Sequence, residues 1–305
     1  MIRTYRQNSI VWLDMESPTP LEVKQVLDDY SIHPLVGEEL LTPTLRPKVD
    51  LYRNCIYLIL HFPVFEKTSV AGTAEIDFIV GRNFIITNRF GSRDTLLRFT
   101  KIFEMKGLLG DKFSEGSHAG FVFSAMLKDL YSGILDRLEV IRNRLTDIES
   151  KIFSGREREM VQALSDISRT LLDSAHALSL HRQVLESFET AGRKFFGDDF
   201  VFYLQSLTSE YYKIEGALES ARGSLVELRE TNNSLLSTKQ NEIMKSLTVV
   251  SFIALPLGVI AALFQIEAVS RPIVGQQNDF WIIVGLMAAA ALGSYIYFKI
   301  YKKWL

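Results

Sequence analysis

The sequence predicts a water-soluble α/β domain, a long helical region and two membrane-spanning helices at its C-terminal end. Three observations carry this reading. The first is where the charges lie. The chain has 305 residues, 34 Lys/Arg, 36 Asp/Glu and a formal net charge of −2. Only six of those charges fall in residues 246–305: Glu267, Arg271, Asp279, Lys299, Lys302 and Lys303. That is one residue in ten, against about one in four before it. The second is a pair of uncharged runs, Ser246 to Phe264 and Phe280 to Phe298, each 19 residues long. At ~1.5 Å per helical residue, each is long enough to cross the hydrocarbon core of a bilayer. The third is an apolar stripe of helical period that runs toward the first of these spans.

The N-terminal part, residues 1–115, mixes strand and helix signals. IVWLDM (Ile10 to Met15) and CIYLILHF (Cys55 to Phe62) are apolar, β-rich runs. EIDFIVG (Glu75 to Gly81) and NFIITN (Asn83 to Asn88) are separated by Gly81 and Arg82, which predicts a hairpin. Thr19 and Pro20 stand at the entry of a helix through LEVKQVLDDY. Residues 116–245 read as a helical stalk. Two long helices, 121–153 and 157–190, join near Gly155, and a third begins after Gly197 with Asp198 or Asp199 as its cap. That third helix meets no proline before Pro256 and, if continuous to Phe264, is ~100 Å long.

Leu204, Leu207, Tyr211, Ile214, Leu218, Ala221, Leu225, Leu228, Asn232 and Leu235 follow a 3-4 spacing along it, a heptad seam. The spacing fits packing against the chain's own helices and packing against copies of itself equally well. A second stripe continues into the first span: Asn241, Met244, Thr248, Ser251, Leu255, Gly258 and Ala262. Much of it is polar or small. In lipid such a face must meet another helix or water. Several copies around an axis would let it line a pore.

The flanks orient the spans. Lys239 and Lys245 precede the first, Lys299, Lys302 and Lys303 follow the second, and the loop 265–279 sets Arg271 against Glu267 and Asp279. The positive-inside rule places both termini in the cytoplasm and the loop outside. The parts are then the domain 1–115, the stalk 116–245, span 246–264, outer loop 265–279, span 280–298 and a basic cytoplasmic tail 299–305.

Composition excludes several classes. A near-neutral charge argues against a nucleic-acid binder, and the single Cys55 excludes a disulfide framework and a Cys-rich metal cluster. The chain has no glycine-rich phosphate loop, no nucleophile elbow and no cluster that suggests an enzyme. His176 and His181, five apart, are poorly spaced to share a metal and read as surface or packing residues. His33 reads as structural. Arg142, Arg144, Arg156 and Arg158 interleave with Asp147, Glu149, Glu157 and Glu159 as a solvated face.

Several segments resemble the CorA family of divalent-cation channels, whose superfamily includes the zinc transporter ZntB. They are WLDMESPTP (Trp12 to Pro20), HPLVGEELL (His33 to Leu41), RPKVDLY (Arg46 to Tyr52), FIVGRNFIITN (Phe78 to Asn88), NEIMKSLTVVSFIALPLGVIA (Asn241 to Ala261) and YFKIYKKWL (Tyr297 to Leu305). The resemblance implies a funnel-shaped homopentamer in the inner membrane. Its ligands would be metal ions and lipid, with no cofactor and Mg²⁺ as the default cargo. It places Asn241 at the polar ring of the cytoplasmic pore mouth, Met244 and Leu247 at a hydrophobic gate, and Leu255 at a further constriction. Gly258 falls where family members often carry a hydroxyl.

The departures matter. The family's Gly-Met-Asn signature follows an aromatic residue after the first span. Here Phe264 keeps the aromatic, and Gln265, Ile266 and Glu267 replace the signature. An asparagine ring thus becomes a carboxylate ring at Glu267. Asn241 and Glu267 are the two candidate rings for a hydrated ion. Ser206 stands where a metal-sensing aspartate is expected on the stalk. Asp198, Asp199 and Glu210 are near it in sequence, but none matches, so the regulatory site is unassigned.

Mg²⁺ holds its waters tightly, and asparagine carbonyls suit outer-shell recognition. Five carboxylates would concentrate cations with less discrimination. The leading expectation is therefore divalent-cation conduction, of Mg²⁺ and also Co²⁺, Ni²⁺ or Zn²⁺. Proton-coupled Zn²⁺ transport of the ZntB type and a non-conducting membrane scaffold or sensor are the alternatives.

Overall fold

The computed structural model describes residues 1–7, 9–44, 46–65, 73–90, 99–101, 103, 118–266, 273–275 and 278–302. The chain divides into two compact units, Met1–Arg229 and Glu230–Leu305.

The first unit holds a six-stranded sheet: β1 (Ile2–Gln7), β2 (Ile10–Glu16), β3 (Lys48–Leu51), β4 (Ile56–Pro63), β5 (Thr73–Val80) and β6 (Phe84–Arg89), in the order β1-β2-β6-β5-β4-β3. Only β2 and β6 pair in parallel. The expected hairpin is β5–β6, closed by the Gly81 N–H donating to the Phe84 carbonyl at 2.9 Å. Strands β4, β5 and β6 are buried on both faces, so they read as near-continuous apolar runs. The edge strands β1 and β3 gave no such signal. One is polar and half-exposed, the other four residues long.

Helices α1 (Pro20–Tyr30) and α2 (Pro34–Glu39) cover one face, over Leu13, Met15, Tyr57, Ile59, Ile79 and Ile86. Thr19 caps α1 in a capping box with Glu22: the Glu22 N–H donates to Thr19 Oγ1, and the Thr19 N–H to Glu22 Oε2. His33 is structural: its Nδ1 accepts from the Leu35 N–H at the start of α2, and its ring stacks on Tyr52.

The other face carries Trp12, Phe78 and a buried ion pair. Arg89 donates to Asp14 through Nε (3.1 Å) and Nη2 (2.7 Å). The Thr87 hydroxyl donates to the same carboxylate at 2.8 Å and accepts from Trp12 Nε1 at 3.0 Å. This face meets helices α3 (Gly120–Phe153), α4 (Glu157–Leu178) and α5 (His181–Phe196), for instance through the Phe78–Phe123–Phe188 rings.

Helices α3 and α4 join at Gly155, whose φ of +92° favours glycine. The stretch 157–190 is not one helix. It breaks at Ser179–Leu180, with no proline or glycine there to announce it. The break lets His181 open α5 and turn inward. His181 is fully buried: its Nε2–H donates to the His61 carbonyl at 2.7 Å, and its Nδ1 accepts from the Tyr131 hydroxyl at 2.9 Å. His181 is thus a packing residue joining α3, α5 and β4.

Burial lowers the His181 pKa from 6.5 to about 4. The folded state therefore resists a proton that the unfolded chain accepts, and this contribution is intact above 6.5 and is lost as pH falls toward 4. Acidification across that window is expected to cost ~3 kcal/mol through this group. Thermal unfolding against pH, wild type beside His181→Gln, checks it: the variant is expected to be less stable at neutral pH but to lose less on acidification.

Helix α6 (Val201–Gln265) is a single 65-residue element entered through a 3-10 turn at Asp198–Phe200. Neither aspartate caps it: the turn starts at Gly197 (φ +103°), and Asp198 instead accepts from Arg193 at 2.6 Å. The seam from Leu204 through Leu228 and on to Asn232 is buried within one chain. In the first unit it packs on the preceding helices, through Tyr211 against Tyr131 and His181 and through the Tyr211 hydroxyl donating to the Leu178 carbonyl. Of the two readings the spacing allowed, packing within the chain is the observed one.

In the second unit, α6 ends at Gln265 and α7 (Asp279–Tyr297) follows, running into a π-helical turn, Phe298–Lys302. Both helices are long and apolar enough to cross a membrane, and almost nothing in their apolar stretches is buried within the chain.

Candidate ion-conducting segment

The site is built on the membrane-spanning half of α6, so its geometry follows from which face meets α7. Val249 is buried, and Ile253, Leu257, Ile260, Ala261 and Phe264 are half-buried. On α7 and the turn that follows it the covered positions are Ile283, Met287, Ala290, Ala291, Ser294 and Phe298. Each set is one helical face, and the Phe252 and Phe298 rings meet edge to face at 5.5 Å.

Asn241, Met244, Ser251, Leu255, Gly258 and Ala262 are exposed, and Thr248 is half-buried. At 100° per residue this stripe lies roughly opposite the face that α7 covers. The structure thus brings seven of the sequence-predicted residues onto one uncovered face. Leu247, also exposed, stands at its edge. The face runs from the amide of Asn241 through Met244 to the Thr248 and Ser251 hydroxyls, then to Leu255 and the small Gly258 and Ala262. The Thr248 hydroxyl donates to the Met244 carbonyl at 2.7 Å, which satisfies its proton and leaves its oxygen open as an acceptor.

Nothing of the chain lies within 4 Å of where a Gly258 side chain would begin, so this face is open there. Pro256 lies within the helix and removes one backbone donor, which frees the Phe252 carbonyl. At the far end Phe264 is half-buried, while Gln265 and Ile266 are exposed. Glu267 lies outside the described residues, as do Arg271, Lys303 and Trp304. Helix α7 opens with Asp279, whose carboxylate accepts from its neighbours' backbone N–H groups at Gly275 and Phe280. Trp281 and Phe280 are exposed at that end.

Among the described residues, no three His, Cys, Asp or Glu side chains are placed to hold a metal ion. Asp198 is paired with Arg193, and Glu210 with Lys213 at 2.8 Å. Ser206 is half-buried.

A family model described as "CorA-like Mg2+ transporter protein" matches residues 7–302. The chain belongs to that family. Among curated proteins it is 24% identical over 286 residues to the cobalt/magnesium transport protein CorA of Thermotoga maritima, covering 93% of this chain and 80% of that one. Among solved structures, the complete CorA magnesium transporter of Methanocaldococcus jannaschii matches with a TM-score of 0.81 at 18% identity, over 98% of this chain and 93% of that one. The ZntB cytoplasmic domain of Vibrio parahaemolyticus matches with a TM-score of 0.61 at 11% identity, over 77% and 90%. At these identities the structures establish the fold: a CorA-like soluble α/β body, a long helix and two candidate spans.

Sequence reasoning found the uncovered stripe but missed the face that α7 covers. The signal was present, since Val249, Ile253, Leu257, Ile260 and Phe264 keep a 3-4 spacing of apolar residues. In a helix apolar all round, however, no periodicity separates a packed face from a lipid face.

Proposed function

We propose that this CorA-like chain conducts divalent cations, Mg²⁺ foremost, through a homopentameric pore lined by the uncovered face of α6. The observation that supports it most is that the polar and small stripe points away from α7. In lipid that face is costly unless copies of the helix enclose water with it. Residues 1–115 and 116–245 are cytoplasmic in this reading. Residues 246–264 and 280–298 cross the inner membrane, 265–279 faces outside, and 299–305 returns to the cytoplasm.

In this reading each residue of the stripe has a role. Asn241 carbonyls accept hydrogen bonds from the water shell of an arriving ion, which Mg²⁺ does not readily give up. Met244, Leu247 and Leu255 form apolar constrictions that block ions when narrow enough to exclude water. Thr248 and Ser251 supply acceptors between them. Gln265, Ile266 and Glu267 follow Phe264 at the outer mouth.

Ion flux into liposomes holding the purified full chain tests this. Mg²⁺ entry is expected, and Asn241→Leu is expected to lower it by about tenfold, the effect of losing ~1.4 kcal/mol at a ring that reads hydration water. A folded protein that passes no Mg²⁺, Co²⁺, Ni²⁺ or Zn²⁺ overturns conduction and leaves a membrane scaffold or sensor. The carboxylate at position 267 favours one second reading, proton-coupled Zn²⁺ transport. Zinc flux indifferent to a pH gradient and to Glu267→Gln would overturn that one.

A further inference from the structure

We propose that Asp77 is a buried proton-binding site: its carboxyl carries a proton at neutral pH, donates it to Glu75, and so fastens the α2–β3 connection to the sheet. The site belongs to the soluble unit and does not depend on the pore reading.

Asp77 sits in the middle of β5, flanked by β4 and β6, and is fully buried. Its Oδ2 accepts from Asn88 Nδ2 at 2.9 Å, and no donor reaches its Oδ1. The other carboxyl nearby is supplied differently. Glu75, two residues earlier on the same face of β5, accepts from the Thr44 N–H (2.7 Å), the Thr44 hydroxyl (3.2 Å) and His61 Nε2 (3.2 Å). Glu75 is also within hydrogen-bond reach of Asp77. Two carboxyls in such contact need a proton between them, and the one short of donors is the one that holds it.

The surroundings agree. Tyr57 and His61 face this cluster from β4, Glu39 from α2, and Lys48 and Asp50 from β3. Lys48 lies 2.7 Å from both Glu39 and Asp50, so its charge is spent there. Among the described residues, no ion pair reaches Asp77. Burial, with Glu75 and Glu39 beside it, holds the Asp77 carboxyl well above the usual carboxylate range. Asn88 Oδ1 is likewise buried without a partner, as expected of a site whose hydrogen bonding turns on a proton.

The network holds both ends of one connection. Asn88 Nδ2 also donates to the Leu40 carbonyl just after α2, and Glu75 holds Thr44 ahead of β3. Loss of the proton sets two adjacent carboxylates against each other in a buried place, and Thr44 is released. Opening then liberates a proton, so its equilibrium constant is expected to rise about tenfold per pH unit above the value of a free aspartate.

Two measurements on the full-length protein test this. The infrared C=O band of a protonated carboxylic acid is expected at pH 7 in the wild type and is expected to be lost in Asp77→Asn, an uncharged stand-in for the protonated side chain. Hydrogen exchange at the Thr44 amide, corrected for its intrinsic rate, is expected to accelerate with pH in the wild type and not in Asp77→Asn. An acid band unchanged by the substitution, no such band at pH 7, or equal pH dependence at Thr44 in both proteins overturns the proposal. Should Asp77→Asn fail to fold, Glu75→Gln decides: its amide donates to Asp77 and is expected to abolish the band, and a band that survives overturns the proposal.

Discussion

Replacing Asp14 with alanine is expected to destabilise the first unit by about 3–5 kcal/mol, the typical result of breaking a buried ion pair by removing one partner. Asp14 and Arg89 are 3% and 4% exposed, so almost no water screens the charge left behind. The carboxylate accepts two guanidinium N–H bonds and the Thr87 hydroxyl. Without it, Arg89 loses the carboxylate that takes both its Nε and Nη2 bonds, and the Thr87–Trp12 bond loses its anchor. The pair bridges the parallel β2–β6 contact on the sheet face that meets the helices. Exchanging both partners for apolar residues, Asp14→Leu with Arg89→Met, is expected to recover part of the loss, because the desolvation cost of both charges goes with them. Urea unfolding of the full chain followed by circular dichroism measures both variants. An Asp14→Ala protein within ~1 kcal/mol of wild type would mean that the remaining contacts of the arginine are enough to hold it.

Much of this was legible because the physics is local. A charge-free run of 19 residues has few folded fates, and both runs are helical. Thr19-Pro20 announced α1 because the capping box needs residues only three apart. What escaped was set by distant neighbours. The break at Ser179–Leu180 exists so that His181 reaches the His61 carbonyl, 120 residues away in sequence. The seam from Leu204 to Leu228 has a period that names no partner, and only the folded unit shows that its own helices bury it. EIDFIVG was read as one strand of a hairpin, and nothing in its spacing told that Glu75 and Asp77 are both buried. The candidate pore divides in the same way. Its stripe was written in 3-4 spacing from Asn241 to Ala262, whereas its direction, opposite α7, required the helix pair.

Glu267→Gln is expected to lower the apparent affinity for divalent ions by about tenfold and to flatten its dependence on ionic strength. In the proposed homopentamer one substitution removes five charges from the outer mouth. A divalent ion ~10 Å from each of five carboxylates in water gains ~4 kcal/mol before screening. A Debye length of ~8 Å at physiological salt leaves about a third of that, near 1.4 kcal/mol, or roughly tenfold in local ion concentration. At ten times lower salt the Debye length grows, so the wild type is expected to gain affinity while Glu267→Gln changes little. Glu267→Asn goes further, returning the asparagine of the family signature. It replaces a field that attracts any cation with amide carbonyls that accept from hydration water, so it is expected to give up affinity and gain preference for Mg²⁺ over Zn²⁺ and Co²⁺. Competitive flux in liposomes at two salt concentrations separates the outcomes. Equal salt dependence in wild type and Glu267→Gln would place this carboxylate away from the ion path. A loss of zinc flux that follows the pH gradient would point instead to a proton carried on the same side chain.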